Sequence, residues 1–197
     1  DTPYACTCPS CTAIGNTEKN ATPAVTELIL RLSQRFPRHF FFTTSYLTTQ
    51  QVTDKQLPPN AGVIVSAINF PLRRIDGEDA KEKAFAGQLE QWKNVTKNIY
   101  IWDYINNFDD YLTPMPILKI ARQRLQFFKQ HGASGIFFNG SGYSYSSFDE
   151  MRTFVLSALL INPELSVDNL TASFFNQEYP AAKKWLYDYY TDLENGT

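Results

Sequence analysis

Three cysteines, Cys6, Cys8 and Cys11, stand close together in the spacing C-x-C-x-x-C. Three thiolates are enough to begin a zinc site, whose structural form usually takes four ligands. No second C-x-x-C follows to complete such a set, and the two histidines, His39 and His131, are distant in the sequence. The residues therefore read as a structural cysteine cluster: a local disulfide or a pinned loop is favoured, and no metal is expected. The odd count leaves at least one thiol without an intramolecular disulfide partner.

A second group surrounds a single carboxylate. Asp103 follows Ile99, Tyr100, Ile101 and Trp102 and precedes Tyr104. An acid at the mouth of a buried strand can serve as a general base, a nucleophile or a stabiliser of an oxocarbenium-like transition state. Tyr46, Asn69 and Asn139, with Tyr143 nearby, fall at the ends of the other apolar runs. Aromatic faces stack on pyranose rings and amides bond hydroxyls, so together with Trp102 and Tyr104 these residue types make a sugar-binding set. The competing structural reading has Asp103 capping the next loop or pairing with Arg73 or Arg74. Glycoside hydrolysis needs two carboxylates, and no second one is evident at a strand end. Asp76, Glu78 and Asp79 read as a solvated loop. There is no G-x-S-x-G, no phosphate-binding glycine loop and no H-E-x-x-H. Hydrolysis by paired carboxylates requires no organic cofactor.

Parallel α/β folds present ligand-binding residues at the carboxyl ends of their strands, so the elements decide whether these residues can meet. Val25, Leu28, Ile29, Leu32 and Phe36 recur at helical spacing between Pro23, suited to a first helical position, and Pro37. The run 39–47, HFFFTTSYL, reads as a strand, as do 62–70, GVIVSAINF, the start of 98–108, and 134–140, SGIFFNG. Phe85, Leu89, Trp92 and Val95 mark a helix between the second and third strands. Leu118, Ala121, Leu125 and Phe128 mark another between the third and fourth. Ser147 and Glu150 look like a capping box for a helix through Ile161 with Met151, Val155, Ala158 and Leu159 on its apolar face. The tail reads as one or two helices, with Trp185, Tyr189 and Leu193 on a common stripe.

Such alternation predicts a single α/β domain over 1–197 with a parallel sheet. It comprises a Cys-rich loop 1–21, β/α units over 22–162 and C-terminal helices over 163–197. The strands read as continuous apolar runs, which fits burial on both faces. Four such strands match half of a (β/α)₈ barrel, and a small open doubly wound sheet is the alternative. The exposed edges of a half barrel call for self-association or for a missing N-terminal half.

Composition sets outer bounds. The chain has 197 residues, 43% of them hydrophobic, 15% aromatic and 19% charged, which excludes general disorder. A net charge of −2 gives no positive field for nucleic acid. The longest apolar runs are too short to span a membrane.

The motif Trp102-Asp103-Tyr104-x-x-Asn107-Phe108-x-x-Tyr111-x-x-Pro114-x-Pro116 resembles the family called domain of unknown function 4838. So do Cys6-Thr-Cys8-Pro-Ser-Cys11, the Ser45-Tyr46 strand end, and Gly132-x-x-Gly135-x-Phe137-x-x-Gly140. That family is similar to bacterial glycoside hydrolases with (β/α)₈ barrels. The resemblance implies that the chain matches the family's C-terminal part and that the protein is secreted or periplasmic and linked to polysaccharide use. It also implies an oligosaccharide or polysaccharide partner. For part or all of such a hydrolase Asp103 is then the candidate catalytic carboxylate, Tyr46, Trp102 and Tyr104 shape a sugar subsite, and Asn107 joins Asn69 and Asn139 in binding hydroxyls; the alternative is a non-catalytic glycan-binding or scaffold domain that has lost its acid/base pair.

Overall fold

The computed structural model describes residues 3–140 and 146–196. Among the described residues, seven α-helices accompany a four-stranded, all-parallel sheet in the order β1-β2-β3-β4. The helices are α1 (Pro9–Ile14), α2 (Thr22–Arg35), α3 (Ala80–Lys93), α4 (Leu118–Gln130), α5 (Asp149–Ile161), α6 (Val167–Glu178) and α7 (Lys183–Asn195). The strands are β1 (Phe41–Ser45), β2 (Ala61–Ser66), β3 (Ile99–Tyr104) and β4 (Gly135–Asn139). A doubly wound sheet needs a reversal of strand order. The sequential order observed among the described strands is that of a barrel segment and equally that of one half of a doubly wound sheet, so both expected architectures fit it.

The chain divides into two compact units. The first comprises residues 1–69, 83–103 and 131–137 and holds most of the sheet. Its register pairs Ser45 with Val65 and Val65 with Ile101, so these side chains share one face. Val63, Val65, Ile99 and Ile101 are buried there, with Phe85, Leu89 and Trp92 of α3 in the same core. The other face carries Thr44, Ile64 and Tyr100 in register and is half-buried to exposed. The strands therefore alternate, whereas their apolar sequence suggested burial on both faces. Aromatic and β-branched residues suit a strand whether or not its second face is covered, which is why the sequence reads the same in both cases.

Gly62 of β2 sits where the backbone comes closest to its neighbours. A Cβ there would lie 2.3 Å from the Asn98 carbonyl oxygen and 2.6 Å from the Phe42 ring.

α2 follows the expected helical period but in a shifted phase. Thr22, Thr26, Ile29 and Ser33 face inward, while Leu28 and Phe36 are exposed. Small hydroxyl side chains let the helix approach β1 closely, and the hydroxyl of Thr22 is satisfied by donating to the Gln51 carbonyl at 3.1 Å.

The second unit comprises residues 70–82, 104–130 and 138–197. Leu118, Ala121, Leu125 and Phe128 of α4 are buried as expected, as are Met151, Val155 and Leu159 of α5. Arg124 is buried with them; its guanidinium lies 4.6 Å from the Phe70 ring centroid and donates to the Pro71 carbonyl at 2.6 Å.

One local expectation is corrected in this unit, and the face of a second element is settled. The turn before α5 is tied by Ser146 donating to Asp149 at 2.8 Å, one residue earlier than the expected Ser147–Glu150 box. Phe148, at a φ of 54°, turns the chain into the helix there. On α7 the Trp185–Tyr189 stripe is the exposed one, with Trp185 72% accessible, and Tyr190 and Glu194 point inward instead. Those two satisfy each other, the Tyr190 hydroxyl donating to Glu194 at 3.0 Å, so a polar pair takes the core position that apolarity alone would assign to tryptophan.

Candidate functional site

The end of β1 is held by a small buried network. Ser45 Oγ donates to the Gln50 carbonyl at 2.9 Å and accepts from Gln88 Nε2 at 3.0 Å and Trp92 Nε1 at 3.2 Å. This fixes Ser45 toward α3. Tyr46 continues in an extended conformation, so its ring goes to the opposite face. There its centroid lies 6.3 Å from that of Trp102, which lies 6.2 Å from Phe137 of β4. Phe42 and Tyr100 meet edge to face at 5.0 Å on the same side. Phe137 is 58% exposed, so the row ends in an accessible ring. Phe137 was not singled out as a site residue from sequence. The period-2 alternation of β4 relative to Asn139 is the signal that finds it.

Asp103 lies elsewhere. The pleat of β3 places it with Ile99 and Ile101, on the face that carries Ser45 and Val65, and it has 0% exposed surface. Tyr46 and Trp102 thus come together as expected, and Asp103 stands on the other side of the sheet from them. Asn69 is exposed beyond β2.

In the second unit, the ring of Tyr104 lies 6.1 Å from Phe108, which lies 6.1 Å from Tyr111. Asn107 commits its side-chain oxygen to a turn, accepting from the Asp109 amide at 3.1 Å and the Asp110 amide at 3.4 Å. Asp110 continues the turn by accepting from the Thr113 hydroxyl and the Leu112 and Thr113 amides, which hold its carboxyl below the usual range. The Asn139 backbone carbonyl accepts from the Ile105 amide at 3.1 Å, and the residue is half-buried. Tyr143 lies outside the described residues. A pocket of about 410 Å³ opens beside α5, lined by Phe148, Met151, Phe174, Phe175 and Leu186 with Asp149 and Glu150 among its polar groups. No sequence motif marks it, because its lining is drawn from three separate segments.

The cysteine segment is more ordered than a loop. Pro9 opens α1 and Gly15, at a φ of 116°, closes it. Proline at the start and glycine just past the end are the signals in the sequence for this short helix. All three cysteines are unpaired, and their sulfurs lie within 4.8 Å of one another. The Cys11 backbone amide, followed by the Cys6 and Cys11 thiols, holds the Cys8 thiol below its ordinary value. Proximity to the Cys8 and Cys6 sulfurs, then burial, pushes Cys11 up to about 11.

A parallel sheet in sequential order with an aromatic row on one face places the chain among parallel α/β proteins. It belongs to the family described as domain of unknown function (DUF4838), whose model matches residues 1–192. The match spans nearly the whole chain, and a correspondence to only the C-terminal part of the family is not borne out. No curated protein and no solved structure matches it. No helix among the described residues is long and apolar enough to cross a membrane.

Proposed function

We propose that the chain is a carbohydrate-active domain, related to barrel-type glycoside hydrolases, that engages a complex glycan through one face of its sheet. The observation that carries this reading is the Tyr46–Trp102–Phe137 row, three rings in succession with an accessible end. Flat aromatic surface of this kind matches the apolar faces of sugar rings. The resemblance behind this reading also implies a secreted or periplasmic bacterial protein.

Within this reading, two roles differ in what they ask of Asp103. A hydrolase needs a carboxylate that reaches the glycosidic bond, with a second about 5–10 Å away. The full burial of Asp103, on the face opposite Trp102, favours a glycan-binding role in which Asp103 holds the end of β3.

Native mass spectrometry of the chain with a mixed oligosaccharide library tests both. The expected result is bound, unshortened glycan, weakened about tenfold by Trp102→Ala, the loss of roughly one stacking contact. Shortened products that disappear with Asp103→Asn would establish hydrolysis instead. A chain that retains no oligosaccharide, or binds equally well without Trp102, removes the proposal.

A further inference from the structure

We propose that Cys6, Cys8 and Cys11 form a mononuclear site for Zn²⁺, with the fourth position left to water or an outside ligand. A disulfide uses two sulfurs and gives no reason for a third, yet all three approach within 4.8 Å of one another. Two thiolates at about 2.3 Å from one tetrahedral zinc are separated by about 3.8 Å. The three sulfurs, none more than 4.8 Å from another, are therefore within about 1 Å of the separations a tetrahedral zinc requires.

The backbone is also held for the purpose. Each cysteine carbonyl is bonded: Cys6 accepts from Asn16 Nδ2 at 3.1 Å, Cys8 from the Thr12 amide at 2.9 Å, and Cys11 from the Asn16 amide at 3.0 Å. Asn16 is itself buried, and its side-chain oxygen accepts from the Ala24 amide at 3.0 Å. One asparagine thus ties both ends of the cluster to the start of α2. Fixing the ligand-bearing backbone in advance lowers the ordering cost of binding. Soft thiolates select zinc over magnesium or calcium. Among the described residues no histidine or carboxylate joins the three sulfurs, which is why the fourth position stays open. Cys6 and Cys8 are exposed, so the ion can enter from solvent.

The test uses the full chain, reduced and kept free of oxygen, titrated with Co²⁺ as a spectroscopic stand-in and then with Zn²⁺. The expected result is one metal per chain, a thiolate-to-cobalt charge-transfer band, and its loss as Zn²⁺ displaces Co²⁺. Cys6→Ser, Cys8→Ser and Cys11→Ser should each weaken binding at least about 100-fold. Asn16→Ala removes no ligand and should weaken it by about tenfold or more, as outer residues of metal sites do. Because the cobalt band is read on the unaltered chain, a misfolded variant does not decide the matter. Absence of that band, or a variant lacking one cysteine that binds as tightly as the original, overturns the assignment. So does a disulfide between two of the three that forms in air despite saturating Zn²⁺.

Discussion

Tyr190 shows how a single side chain can couple stability to pH. Burial pushes its phenol well above the ordinary tyrosine value of about 10, and the neighbouring Glu194 carboxylate adds to the effect by charge and by accepting its hydrogen bond. The folded chain therefore holds this proton more tightly than the unfolded chain does. The resulting stability is complete below about pH 10 and is lost as pH rises further, when only the unfolded form ionises readily. Tyr190→Phe should cost about 1 kcal/mol at neutral pH through the lost hydrogen bond. It should also flatten the alkaline fall in stability, measured by urea unfolding between pH 8 and 11. An unchanged alkaline slope would assign that fall to other groups. Nothing in the local sequence distinguishes Tyr190 from Tyr189, which is exposed; the direction of helix packing separates them.

α4 begins without an acidic residue in its own first turn. Its cap comes from another element: Glu194 of α7 accepts from the Leu118 amide at 2.7 Å and the Lys119 amide at 3.2 Å. A carboxylate there meets both unsatisfied donors and the positive end of the helix dipole. Glu194→Ala should destabilise the chain by about 2 kcal/mol, between the cost of a lost cap and that of buried amides left unpaired. Amide exchange at Leu118 and Lys119 should accelerate more than in the middle of α4. Equal acceleration along the whole helix would point to global loosening instead of capping. The existence of α4 and its buried face were legible from Leu118, Ala121, Leu125 and Phe128. The cap was not, because an acid near the end of a later helix looks like any surface glutamate.

The summed charge acts over larger distances than these contacts. With 18 basic and 20 acidic residues the net charge at pH 7 is only −2, and the isoelectric point is about 5.7. Weak self-repulsion near that pH, together with exposed Trp185 and Phe137, should make solubility lowest close to pH 5.7 and higher by pH 8. Light scattering across that range checks it, and a flat profile would show that charge does not limit association.

The four strands, their parallel alternation with helices, and the buried rows of α3 and α4 follow from local apolar period and from Gly and Pro punctuation. These signals lie within a few residues of one another, so the chain order carries them. The faces do not follow in this way. Tyr46, Trp102 and Asp103 all read as strand-end residues, yet the pleat sends Asp103 inward with Ile101 and leaves Trp102 on the face with Tyr46 and Phe137. Which side of a strand meets the helices depends on register with its neighbours and on helix packing, both of them long-range. The same holds for the cysteines. Their spacing allows a disulfide, a loop pin or a metal site, and only the fold through Asn16 and α1 brings all three sulfurs to one point.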